Sequence, residues 1–139
     1  MALITRIDLL LNTASVPGAG TDGFVYMGIG GREFQIDAAG NDFEQGQNRL
    51  YIIGQGSNLL DAPVNDPTNP ALDTNDLSKF PKYIRFEPTS GADEWILEDV
   101  SITVNPGTTT QQVFRSPVVV GSTRKLHLSQ KAGKFCYLA

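Results

Sequence analysis

Apolar and polar residues change places at every second position in segment after segment of this chain. No stretch carries the apolar stripe at three- and four-residue spacing that a helix face needs. Successive strand side chains point to opposite faces of a sheet, so this period confines the chain to half-buried strands. From Leu3 the odd positions Leu3, Ile7, Leu9 and Leu11 are apolar and Arg6, Asp8 and Asn12 take even ones, with Ile4 and Leu10 blurring the pattern. Phe24 to Ile29 reads as a second strand and Arg32 to Asp37, with Phe34 and Ile36 alternating, as a third. Gly30 and Gly31 between them supply the positive φ of a tight hairpin turn. Further strands are expected at 50–53, 82–87 and 95–104, the last with Val100, Ile102 and Val104 on one face. Four short ones follow, at Val113-Phe114, Val118 to Val120, Lys125 to Leu128 and Phe135 to Leu138. The expected class is all-β.

The connections suit that class. Ala14 to Gly23 holds Pro17, Gly18, Gly20 and Gly23, residues that are costly inside a strand and favourable in a turn. The 139 residues match one domain, 1–139, and no repeat or linker divides them. Gln55 to Lys79, rich in Asn, Asp and Pro, is longer than compact domains usually carry. It reads as a solvent-exposed insertion with room for one helical turn near Thr74 to Leu77, capped by Thr74.

Charge and chemistry exclude several classes of function. A net charge of −4 opposes nucleic-acid binding and purely electrostatic adhesion to lipid, unless a divalent cation bridges carboxylates to phosphate. Met1 to Leu11 is interrupted by Arg6 and Asp8 and lacks a cleavage site, so it reads as a strand rather than a signal peptide. No run approaches the roughly 20 apolar residues of a membrane span, which makes a cytoplasmic or peripheral protein the default. Gly18, Gly20 and Gly23 fit a dinucleotide fingerprint in spacing, but a strand follows where a helix is required. His127 is the sole histidine and Cys136 the sole cysteine. Neither a zinc cage nor a nucleophile with its base can be assembled from them, and Cys136, between Phe135 and Tyr137, reads as a core residue. Trp95 likewise reads as packed rather than inserted in a membrane, leaving Leu59, Leu60 and Phe80 as weaker insertion candidates.

The segment Asp37-Ala38-Ala39-Gly40-Asn41-Asp42 places two Asp, an Asn and a flexible Gly in six residues after a strand. Calcium takes six to eight oxygen ligands, mixing carboxylates with carbonyls, and a glycine lets the backbone bend so that carbonyls converge. The same composition also makes an Asx-rich turn that binds nothing, and the segment alone leaves both readings open.

Three ordered segments resemble the PLAT, or lipoxygenase-homology, domain found in lipoxygenases, lipases, polycystins and clostridial alpha-toxin. Gly18-Ala19-Gly20-Thr21-Asp22-Gly23 leading into Phe24 is similar to the family's GAGTD loop and following strand. Asn41-Asp42-Phe43-Glu44-Gln45-Gly46, with Tyr51 downstream, is similar to its xDFExG signature, and Trp95 to Val100 to its WxLExV strand. The resemblance covers about residues 3–104 and implies an eight-stranded antiparallel β-sandwich of two four-stranded sheets. The strands at 112–138 would then be extra short strands closing a sheet or pairing across a homo-oligomer interface. It further implies a non-catalytic, calcium-dependent lipid-headgroup or membrane-surface binding module. The alternative is a docking or assembly subunit with a protein partner in trans. Carried over by position, one calcium site takes Thr21, Asp37 and Asp42 with the backbone of Ala38 and Gly40, Asp37 and Asp42 being the main carboxylates. A second takes Gly20, Asp93 and the backbone of Glu94, but Gly18 stands where that site uses an acidic side chain.

Overall fold

A computed structural model describes residues 2–119 and 124–139 of the chain. Among them nine strands form: β1 (Arg6–Thr13), β2 (Phe24–Ile29), β3 (Arg32–Gln35), β4 (Asn48–Gly54), β5 (Lys82–Glu87), β6 (Glu94–Val104), β7 (Gln112–Arg115), β8 (Leu126–Ser129) and β9 (Phe135–Leu138). Every pairing is antiparallel. One sheet runs β4-β1-β6-β7 with β8 also on β6, and the other runs β3-β2-β5-β9. The sandwich expected from the sequence forms, with five strands in one sheet and four in the other. The uneven split follows from β6, whose 11 residues are long enough to pair β8 at Glu94–Leu97 and β7 at Ser101–Val104. The tail strands complete both sheets: β7 and β8 extend the first, β9 the second.

Two tail and loop expectations change. Val118 and Val119 lie in a turn, with Val119 buried under the sheets, and Val120 lies outside the described residues. The short helical turn is a 3-10 segment, Thr74–Asp76, and its cap is Asp73, whose Oδ1 accepts from the Asn75 amide at 2.8 Å. An extended residue caps best when its short carboxylate reaches back to the second helical amide, and Asp73 has that conformation, whereas Thr74 already belongs to the turn.

The core is built from the inward positions of each alternation, Leu9, Leu11, Met27, Phe34, Ile53, Ile84, Phe86, Val100 and Ile102 among them. Trp95 sits fully buried at its centre, 5.3 Å from the Phe43 ring and 5.9 Å from that of Phe86, and donates Nε1–H to Thr13 Oγ1 at 2.9 Å. The packed role expected for Trp95 and Cys136 is what the fold gives them, and burial raises the Cys136 thiol pKa. The long 55–79 connection is no bare insertion. It buries Leu59, Leu72 and Leu77, and Asn65 Oδ1 accepts the β3 amide of Gln35 at 2.8 Å. Its Asn/Asp/Pro content hides three well-spaced leucines that cover the end of the core.

Candidate metal centre

The loops at 14–23, 36–47 and 88–93 gather at one end of the sandwich. The β2–β3 hairpin pairs Tyr26 with Gln35, so the residues just before β2 lie beside those just after β3. Gly20 locks the first loop onto the second: a Cβ there would stand 2.9 Å from the Gln45 amide and 3.1 Å from the Phe43 carbonyl, closer than backbone tolerates. The Thr21 amide donates to that carbonyl at 3.0 Å. Phe43 holds a left-handed φ of 58° with its ring packed between Tyr51 and Trp95. Bulky residues seldom adopt such a φ, and burial of the ring holds it there. Phe43 in turn fixes its neighbour Asp42.

Thr21, Asp37, Gly40 and Asp42 line a cavity of about 260 Å³ together with Phe24 and Glu44. Ala38 lies behind it, buried, and its amide donates to Asp42 Oδ2 at 3.1 Å. Asp42 Oδ1 accepts from Tyr51 Oη at 2.8 Å and from Arg49 Nη1 at 2.9 Å. The acidic segment is therefore a bonded turn, and Asp42 is its anchor. Asp37 differs. Asp37 is exposed at the cavity lip, and partial loss of water there, then the side chain and charge of Asp42, then the charge of Asp61, hold its carboxyl above the usual carboxylate range. Among the described residues no hydrogen bond ends on the Thr21 or Gly40 carbonyl. Carboxylate and carbonyl oxygens around a focus of excess negative charge are the donors a calcium ion takes, and in that respect the residues fit. The set is sparse: among the described residues no three His, Cys, Asp or Glu side chains converge on one point.

The second expected site would draw on Gly20, Asp93 and the backbone of Glu94. Asp93 Oδ1 accepts from Thr21 Oγ1 at 2.7 Å, and Oδ2 from the Thr89 amide and hydroxyl at 2.9 and 3.2 Å. Asp93 thereby ties two loops together. Glu94 points elsewhere, its Oε1 lying 3.2 Å from His127 Nδ1 on β8. Gly20 and Asp93 share a shallow groove with Gly18 and Glu44, of which Glu94 is no part.

Arg49 and Phe24 are the residues that sequence reasoning passed over. Arg49 and Tyr51 stand two apart on β4, so strand alternation puts both on the face that meets Asp42. That spacing was the available signal. Phe24 is 54% exposed at the cavity mouth, at the one end of β2 where an outward position carries a large ring. Leu60 is exposed next to Asp37, and its amide donates to the Asp37 carbonyl at 2.9 Å. Leu59, expected as an insertion candidate, is buried.

No protein-family model matches the chain. Phospholipase C of Paraclostridium bifermentans is 32% identical over 127 residues, covering 87% of this chain and 28% of that protein. Phospholipase C of Clostridium haemolyticum is 31% identical over 108 residues, covering 73% of this chain and 24% of that protein. Among solved structures, alpha-toxin of Clostridium absonum superposes with a TM-score of 0.64 at 23% identity, over 99% of this chain and 32% of that one. Alpha-toxin of an avian strain of Clostridium perfringens gives a TM-score of 0.58 at 20% identity, over 99% and 31%. The structural likeness shows the shared fold, and the chain spans about a quarter to a third of the length of the proteins it matches. In sequence and in fold, then, this β-sandwich is similar to one portion of the clostridial phospholipases C.

Proposed function

We propose that the chain, 1–139 as one unit, is a PLAT-type module without catalytic activity that binds a lipid headgroup surface through calcium. The observation that carries this reading is the exposed Phe24 ring on the wall of the same cavity that Asp37 and Asp42 line. An acidic rim is repelled by anionic headgroups, and a calcium ion would reverse that repulsion while leaving coordination positions for phosphate oxygen. Asp37, the outer lone pair of Asp42 and the Thr21 and Gly40 carbonyls would hold the ion. Phe24 and Leu60 would seat at headgroup level. Relatives named phospholipase C support lipid as the surface concerned. Asp93 stays outside the proposal, since its carboxylate is engaged by Thr21 and Thr89, and so does Glu94, which does not line the groove that Gly20 and Asp93 share.

Co-sedimentation with vesicles of mixed phosphatidylcholine and phosphatidylserine tests this. Binding should appear with calcium, vanish with chelator and be lost in Asp37→Asn. Phe24→Ala should keep calcium binding and weaken vesicle affinity by about 1.5–3 kcal/mol, the worth of burying one large ring. Vesicle binding indifferent to chelation would count against the proposal.

A second reading, docking to a protein partner in trans or to another copy, has one observation in its favour. On the outer face of the second sheet Phe135 and Tyr137 are 43% and 57% exposed, with rings stacked at 5.7 Å on the edge strand β9 and Tyr83 edge-on to both. A chelation-insensitive assembly lost in Tyr137→Ser would select that reading.

A further inference from the structure

A cation is already built into the acidic loop. The Arg49 guanidinium donates to Asp42 Oδ1 at 2.9 Å and to the Ala39 carbonyl at 2.9 Å, with a longer contact to the Asn41 carbonyl at 3.4 Å. Its carbon lies 5.4 Å from the centroid of the Tyr51 ring, and Tyr51 itself donates to the same carboxylate oxygen. Two carbonyls and a carboxylate of one loop thus converge on a single positive group, the donor mixture that would otherwise be offered to a metal ion. Arg49 is 26% exposed and Asp42 only 9%, so water screens their pairing weakly. The fork geometry of a guanidinium, planar, rigid and always charged, lets its two Nη atoms reach oxygens on both sides of the loop, where the single nitrogen of a lysine offers one point charge.

From this arrangement we infer that Arg49 is a tethered counter-ion that sets the calcium affinity of the site. It holds the loop folded in the absence of metal and must yield Asp42, at least in part, when calcium enters. The inference rests on the calcium reading above. It has two physical roots. The guanidinium lowers the negative potential that draws a divalent ion, and it occupies carboxylate and carbonyl lone pairs that the ion would need. It also explains why Asp42 and Asp37 differ: the carboxylate paired with Arg49 is the loop's anchor, and Asp37, pressed by Asp42 and Asp61, has no positive partner among the described residues. In such a site calcium binding is weakened by design, and a second source of binding free energy, such as phosphate completing the coordination shell, is needed to make it tight.

Calorimetric titration of calcium into metal-stripped wild type and Arg49→Gln tests the inference. Gln keeps a donor for the carbonyls and removes the charge, and affinity should rise about tenfold or more, the effect of roughly one strong charge interaction. A site silent in wild type and titratable in Arg49→Gln would support it equally. Equal or weaker affinity in Arg49→Gln, with wild type binding calcium, overturns the role of Arg49 and leaves the calcium reading standing. If neither protein binds calcium, the calcium reading falls and this inference with it. Should Arg49→Gln not fold, the arginine side-chain Nε–H resonance of wild-type protein gives the answer. Saturating calcium should move the Arg49 signal toward that of a solvated guanidinium, and a signal unmoved at saturation overturns the inference.

Discussion

Trp95→Ala is expected to lower the free energy of unfolding by about 3–5 kcal/mol in urea titrations, a large share of the roughly 5–15 kcal/mol that holds an ordinary domain folded. The residue is fully buried, its ring meets Phe43 and Phe86, and its indole N–H is satisfied by Thr13. Removal therefore opens a cavity and strands a buried hydroxyl acceptor. The effect should reach beyond the core, because Phe43 packs on Trp95 and holds the left-handed backbone beside Asp42. Trp95→Phe should cost distinctly less, and a loss under about 1 kcal/mol for Trp95→Ala would contradict the packing described here.

Asp42 and Asp37 should respond in opposite directions. Asp42→Ala leaves the Tyr51 hydroxyl, the Ala38 amide and the Arg49 guanidinium without their common acceptor, at a cost of about 3 kcal/mol. Asp37 carries the reverse sign. Its carboxyl is held above its ordinary pKa, so the folded state takes up a proton more readily than the unfolded chain. The ionised form thus costs stability, and the cost appears as pH rises through that elevated pKa. Without calcium at neutral pH, Asp37→Asn is expected to melt at or above the wild-type temperature while losing calcium binding, and melting curves of the two variants side by side check both signs. A destabilised Asp37→Asn would mean that the lip carries no excess negative charge.

Much of this was legible in the residues. Period-two alternation located β2, β5 and β9 to the residue, since these strands have one buried and one exposed face with few exceptions. Strand ends were harder to read: β3 stops at Gln35, two residues short, and its outward Gln35 amide is taken by Asn65 of the long loop, a partner 30 residues away in sequence. The same distance in sequence hid the fate of the long loop, whose leucines find the core only after the chain has turned back. Among the site residues, the Asp segment declared itself through composition and Thr21 through the PLAT resemblance, and the cavity gathers Thr21, Asp37, Gly40 and Asp42. Arg49 did not, since a lone arginine at the start of a strand reads as a solvated face until the loop before it is seen folding back over it. Asp93 and Glu94, adjacent in sequence, send their side chains to different partners, Thr21 and His127, both distant in sequence and so hidden from it.

The Asp37 cavity is proposed to take calcium. Thermal unfolding of metal-stripped protein across a calcium series is the decisive measurement, because an ion that binds only the folded state raises stability with the logarithm of its concentration. The melting temperature should climb with calcium in wild type, climb from lower concentrations in Arg49→Gln, and stay flat in Asp37→Asn. A wild-type and Arg49→Gln melting temperature that calcium leaves unmoved would contradict the proposed site.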